Sequence, residues 1–311
     1  MKLILCVSLF CAEIAYGGLE KYSALVVANN ERDARPPHDA VRVTYLGVNG
    51  YQFEVGEHAL LVDPYFTRVG FWSVALDQPI KSDRELVDRA STRVRNSLDA
   101  ILVTHGHFDH LLDVPYLMQR SGARLLAGPT AVNLVRSHGV AQNKCQAVRP
   151  GTMQEIGPWT IHVFHAQHDR VIGSSPPFPG SLKTVPERQP VKPSDWVMGE
   201  PLAFVISAAG QRIYIEAGGV NENLPAQVGR VDLAILGVAL PDSRRRFASI
   251  VRKLRPRYIL PSHQDDFFAP LSRGFVFGKM SDFPEVRKTF EHERLPGRLI
   301  LLDYFKPWTL R

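Results

Sequence analysis

The residues with the clearest chemistry lie in one run, Thr104-His105-Gly106-His107-Phe108-Asp109-His110. Three imidazoles and a carboxylate this close together form a donor set that suits zinc, iron or manganese. Ala100 to Val103, all apolar, lead directly into it, which predicts a buried strand ending at the first histidine. On an extended stretch His105, His107 and Asp109 share a period of two and face one side. Gly106 is expected to let the backbone turn sharply enough for His110 to join them.

Further strands must carry the remaining donors. Val41–Tyr45 alternates as a strand does, with Gly47 and Gly50 marking a turn, and Tyr51–Val55 and Ala59–Val62 continue the pattern. A helix is expected over Leu111–Gln119, interrupted near its start by Pro115, and Arg124–Ala127 is a short strand. Pro129 suits the first position of a helix running to Ser137. Trp159–Phe164, Leu202–Ile206, Arg212–Glu216, Val231–Leu236 and Tyr258–Leu260 read as strands. Phe247, Ile250, Val251 and Leu254 have the i, i+3, i+4, i+7 spacing of a helix with one buried face. Strands first, then strands alternating with helices, predict an α/β sandwich whose helices cover packed sheets. No strand runs into a Gly-x-Gly-x-x-Gly turn, so a dinucleotide-binding fold is not expected.

His-x-His-x-Asp-His after a strand resembles the signature of the metallo-β-lactamase superfamily. Tyr45-Leu46-Gly47-Val48-Asn49-Gly50, Leu61-Val62-Asp63-Pro64-Tyr65-Phe66 and Ala166-Gln167-His168 are similar to one branch of it. That branch holds ascorbate-6-phosphate lactonase and the phospholipase D acting on N-acyl-phosphatidylethanolamine. The resemblance spans about residues 41–270 and implies a four-layer αββα sandwich. It implies that His105 and His107 hold a first metal, and Asp109 and His110 a second. His168 then completes the first set, with His165 a competitor three residues earlier, and His263 completes the second. The implied cofactor is zinc, as one or two ions, with manganese or iron as alternatives. The implied reaction is hydrolysis by a metal-bound hydroxide attacking a carbonyl or phosphoryl centre, with Asp109 orienting the water and taking its proton.

One departure concerns the bridging carboxylate. The family's strand ending in Gly-Asp-Thr is replaced by Ile213-Tyr214-Ile215-Glu216-Ala217-Gly218-Gly219, which puts Gly218 at the bridging position. Glu216, two residues earlier on the same strand face, either reaches in through a bulge or leaves the centre without a bridge. Asp63 either supports the site by hydrogen bonds to its ligands or fixes a turn. Asp265 and Asp266 are expected at the surface.

At 311 residues the chain allows one large α/β domain, expected over residues 40–311 with insertions at 65–98 and 173–201. Seven prolines in the second insertion argue for an ordered loop without regular structure; it follows His168 directly and is expected to form a substrate wall or lid. Residues 18–39 read as a linker. Lys2 and the apolar run Leu3–Ala12, with Ala15-Tyr16-Gly17 behind it, read as a signal peptide over residues 1–17, so a periplasmic or secreted location is expected, otherwise a cytoplasmic one. Loss of that leader leaves Cys145 as the single thiol, which cannot form an internal disulfide. A net charge of +6 suits an anionic small molecule or lipid, and an arginine-rich helix near Arg244–Arg257 admits peripheral membrane contact. No basic block interleaved with aromatics is present, so nucleic acid is not expected. Oligomeric state leaves no signature in the sequence. Two other classes stay open: an iron-binding redox protein, and a non-catalytic binding protein on the same scaffold.

Overall fold

The computed structural model describes residues 18–27, 35–95, 97–170, 175–216, 224–239, 242–279 and 281–311. The N-terminal run read as a leader and Gly218 lie outside the described residues.

Two seven-stranded mixed sheets form the centre of the molecule. The first contains β1 (Val41–Gly47), β2 (Gly50–Val55), β3 (His58–Val62), β4 (Ala100–Val103), β5 (Arg124–Ala127) and β6 (Cys145–Ala147), with β14 (Trp308–Leu310) paired to its β1 edge. The second runs in reverse chain order from β13 (Arg298–Leu299) through β12 (Tyr258–Ser262), β11 (Leu233–Gly237), β10 (Gln211–Ile215), β9 (Leu202–Ala208) and β8 (Trp159–His165) to β7 (Met153–Ile156). Each sheet has an antiparallel part and a parallel part: β3, β4, β5 and β6 run parallel in the first, β10, β11, β12 and β13 in the second. β4 is buried along its whole length, as a strand inside a covered parallel sheet must be.

Helices cover the sheets. α4 (Val114–Ser121) and α5 (Pro129–Ser137) belong to the first half, where α5 packs on β5 and β6. α6 (Asp242–Leu254) packs on β11 and on α7 (Phe283–His292) in the second. Phe247, Ile250, Val251 and Leu254 form the buried face of α6. The result is the αββα sandwich expected from the sequence.

Two local expectations change, and a third is extended. The single helix foreseen from Leu111 is two: α3 (Phe108–Leu111) ends, and α4 restarts with Pro115 in its first turn, where the missing N–H costs nothing. The insertion at 65–98 has the helical stretch expected near Asp83–Arg95 and a further short helix before it. It carries α1 (Phe71–Ala75) and α2 (Arg84–Ser91), and Asp113 anchors it by accepting from Phe66 N, Thr67 N, Thr67 Oγ1 and Ser82 Oγ at 2.5–2.8 Å. The first part of the segment read as a linker docks on the domain. Tyr22 is buried with its ring edge-on to Phe277 and Phe283, both at 5.1 Å, and Val26 bridges to Leu301.

Candidate metal centre

The chemistry-bearing side chains sit where strands end. β4 delivers Thr104 and His105, β3 delivers Asp63, β8 leads to His168 and β12 to His263. His105, His107 and His168 bring one ligand atom each within 4.8 Å of one another, and Asp109, His110 and His263 do the same. All six residues singled out from the sequence therefore converge, in the two expected triplets. His165, the competitor of His168, ends β8 as an exposed residue and is in neither set.

The local backbone differs from expectation. Only the stretch to His107 is extended. Asp109 and His110 lie on the first turn of α3, which swings them to the second triplet. Gly106 does not take a left-handed conformation. It is needed for close approach: a Cβ there would stand 2.2 Å from the Val197 carbonyl oxygen, and Gly106 N donates to the Met198 carbonyl at 2.8 Å. The proline-rich loop is thereby clamped across the histidine motif. Gly106→Ala is expected to destabilise the fold by roughly 1–3 kcal/mol, as overpacking does, and to expose the loop to proteolysis. Chemical denaturation and limited proteolysis measure both, and an unchanged midpoint with an intact loop would refute the clamp.

The hydrogen bonds around the imidazoles decide which nitrogen of each ring carries its proton. Thr104 Oγ1 donates to Asp63 Oδ2 at 2.6 Å and so accepts from His105 Nδ1 at 3.1 Å. The Pro177 carbonyl accepts from His107 Nε2 at 3.0 Å, and the Asp169 carbonyl from His168 Nδ1 at 2.7 Å. Asp63 Oδ2 accepts from His110 Nδ1 at 2.7 Å. For His105, His107 and His168 each assignment leaves a lone pair on the other nitrogen. His105 Nε2 and His107 Nδ1 then face each other at 2.9 Å, and His110 Nε2 lies 3.3 Å from His263 Nε2. Inward lone pairs at such spacing repel unless a cation lies among them, and partners that orient the outer nitrogens are the usual support of metal ligands. This donor set fits a divalent metal, zinc included.

Electrostatics agree for the first triplet. Burial and then His168 push His107 down to about 3, and burial and then His110 push His168 to about 3. Burial, followed by the neighbouring imidazoles, lowers His105 strongly. All three are neutral at physiological pH, as ligation requires. His110 goes the other way: burial opposes its protonation, but Asp109 and Asp63 outweigh that and raise it. Burial also opposes the charge on Asp109, yet His110 and His263 hold its carboxyl below the ordinary range.

Several supporting residues were not legible in the sequence. Asn49 Nδ2 donates to Asp63 Oδ2 at 2.7 Å and to the Glu216 carbonyl at 2.9 Å, tying the β1–β2 turn to both sheets. Val48, Asp63 and His263 all have positive φ, at 57°, 44° and 55°, strain of the kind held at functional sites by surrounding bonds. Here the bonds are His263 N to Val48 O at 2.8 Å and Val48 N to Asp265 Oδ1 at 3.0 Å. Asp265, expected at the surface, is completely buried. It also accepts from Tyr45 and Tyr304 and pairs with Arg68 at 3.0 Å, because an acid buried there must be fully bonded. Asp266 is half-buried. Arg246, in the arginine-rich helix, is buried and pairs with Asp169, the residue after His168. Glu216 is buried, accepts from Tyr214 Oη at 2.9 Å and belongs to neither triplet.

Residues 42–263 match the family model of the beta-lactamase superfamily domain, so the chain belongs to that superfamily. A metal-dependent hydrolase of Rubrobacter xylanophilus is 28% identical over 238 residues, which are 73% of this chain and 82% of that protein. Igni18, a metallo hydrolase from Ignicoccus hospitalis, superposes with a TM-score of 0.57 at 17% identity over 88% of this chain and 99% of its own. CmlA, a diiron beta-hydroxylase from Streptomyces venezuelae, superposes at 0.56 with 14% identity over 89% of this chain and 54% of its own.

Proposed function

We propose that this member of the superfamily is a metal-dependent hydrolase that uses water to cleave a carbonyl or phosphoryl bond. The observation that carries this reading is the pair of donor triplets, with the outer nitrogens of His105, His107, His110 and His168 anchored by hydrogen bonds. His105, His107 and His168 would hold one ion, and Asp109, His110 and His263 a second. Zinc fits these nitrogen and oxygen donors. A bound divalent ion supplies Lewis acidity and acidifies water into the neutral pH range.

The chain's own residues do the rest. Asp109 is slightly exposed, with Oδ2 at 3.5 Å from His110 Nε2 and 3.7 Å from His263 Nε2. Held ionised by them, it orients an incoming water and accepts its proton. The loop at 175–201 supports His107 through Pro177 and forms one wall of the site. The net charge of +6 favours an anionic small molecule or lipid as substrate. The test is metal quantification followed by a hydrolysis screen over phosphodiesters, lactones and β-lactams, with and without chelator. Chelator-sensitive hydrolysis with bound zinc is expected. Bound iron with visible colour would replace zinc, and metal without any hydrolysis would make this a binding protein.

The same reading includes export, on the strength of the leader pattern at residues 1–17. Mass spectrometry of the native protein should show a chain beginning near residue 18. An intact Met1 on protein from the cytosol would end that part of the proposal.

A further inference from the structure

A left-handed backbone at a valine is rare, because its branched side chain crowds the chain there, so whatever holds it is informative. Val48 is such a residue, with φ 57°, in the short turn between β1 and β2. That turn serves both histidines of the second donor triplet. The Val48 carbonyl accepts from His263 N at 2.8 Å, and His263 is itself left-handed, at φ 55°. Asn49, the next turn residue, donates to Asp63 Oδ2 at 2.7 Å, and the same oxygen accepts from His110 Nδ1 at 2.7 Å. In the first triplet, His107 and His168 are anchored elsewhere, by the Pro177 and Asp169 carbonyls.

Asp265 holds the turn from behind. Its Oδ1 accepts from Val48 N at 3.0 Å and Tyr45 Oη at 2.8 Å, and its Oδ2 from Arg68 Nη2 at 3.0 Å and Tyr304 Oη at 2.5 Å. Neither side chain of the Arg68–Asp265 pair is exposed. The donors arrive from β1 and its turn, from the 65–98 insertion and from the segment before β14. Arg68 can lie against the turn only because residue 47 is glycine, at φ 99°: a Cβ there would collide with Arg68 Nη2.

As core filling the pair is a poor choice. Arg68 Nε and Nη1 are buried without a hydrogen-bond partner among the described residues, and a buried ion pair is often no more stabilising than apolar residues of the same volume. What a carboxylate with four donors does well is stay in one place. Here that place is the N–H of the residue whose carbonyl holds His263.

We infer that Asp265 is a positioning residue for the second donor triplet: clamped by Arg68, Tyr45 and Tyr304, it fixes the Val48 turn and through it the backbone of His263, and so sets metal affinity there without being a ligand. The inference rests on the proposed metal centre, not on hydrolysis.

Metal-free full-length protein is titrated with zinc against a chelating indicator, and amide hydrogen exchange is followed in the metal-free state. Asp265→Asn keeps the size of the side chain but leaves one pair of its four donors without an acceptor. It should lower affinity at one of two zinc sites about tenfold or more and leave the other within about twofold. The loss should persist in a His105→Ala, His107→Ala background, where the second triplet alone is complete, and disappear in a His263→Ala background. Tyr304→Phe removes a single hydroxyl, spares the ring stacked on Tyr45 at 5.7 Å, and should cost the same site about threefold. It carries the test if Asp265→Asn does not fold. In both variants exchange at the Val48 and His263 amides should quicken while that of β4 stays slow. Unchanged affinities, equal loss at both sites, a loss that survives His263→Ala, or unchanged exchange at the two amides would overturn the inference. Zinc affinity that falls as expected in a protein that hydrolyses nothing would refute the proposed reaction and leave the inference standing.

Discussion

Replacing His105 and His107 together by alanine should empty the first donor triplet and reduce hydrolysis by at least about a thousandfold, roughly 4 kcal/mol of lost transition-state stabilisation. Both rings are buried and both contribute one of the two nitrogens facing each other at 2.9 Å. His168 alone cannot retain an ion at that position. The fold should persist, because the rings hang from the end of β4 while the apolar residues of the strand itself stay packed. Inductively coupled plasma mass spectrometry and a thermal melt separate the two effects. A double variant with full metal and full turnover would refute the assignment of the first triplet; one that fails to fold would show the imidazoles to be structural.

Asp63→Ala should have the second largest effect, and on stability as well as on metal. Both carboxylate oxygens of Asp63 are used: Oδ1 accepts from Thr104 N at 2.8 Å, and Oδ2 from Thr104 Oγ1, Asn49 Nδ2 and His110 Nδ1 at 2.6–2.7 Å. Alanine would strand four buried donors, each carrying a desolvation cost of about 1–3 kcal/mol where water cannot enter. A loss of about 3 kcal/mol or more in unfolding free energy is therefore expected. Metal affinity at the second triplet should fall about 10–100-fold, since His110 loses the partner that orients it and raises its basicity. Denaturant titration and competition with a metal indicator provide the two readings. A variant that keeps its stability but loses metal would confine Asp63 to ligand support; the reverse would make it a turn residue only.

How far the sequence carries is visible in these residues. β4 and β5 end where the apolar patterns end, and the six candidate ligands implied by the family resemblance lie at or after strand ends. What local pattern cannot show is a bond between distant segments. Tyr45 and Asp265 are 220 residues apart, and nothing near either one announces the other. Likewise the role of Pro177 depends on a loop returning across His107, and the need for Gly106 arises from Val197, not from its own backbone angles. β6, β13 and β14 have only two or three residues each, too few for a period to register. Asp265 was misjudged because an acidic residue after a histidine is ordinarily solvated, and only the arrival of Arg68, Tyr45 and Tyr304 makes its burial tolerable.

Each triplet takes two donors from the segment after β4 and its third from the other sheet, His168 after β8 or His263 after β12. Neither half of the sandwich owns a complete set. His110 and His263 are 153 residues apart in the chain, so loop closure between them comes late and is slow compared with the growth of local hairpins and helices. An ion in the medium would therefore meet a complete triplet only in molecules whose halves have already met. A bound ion would crosslink the sheets at this end, and a fragment holding either half alone would lack a complete triplet.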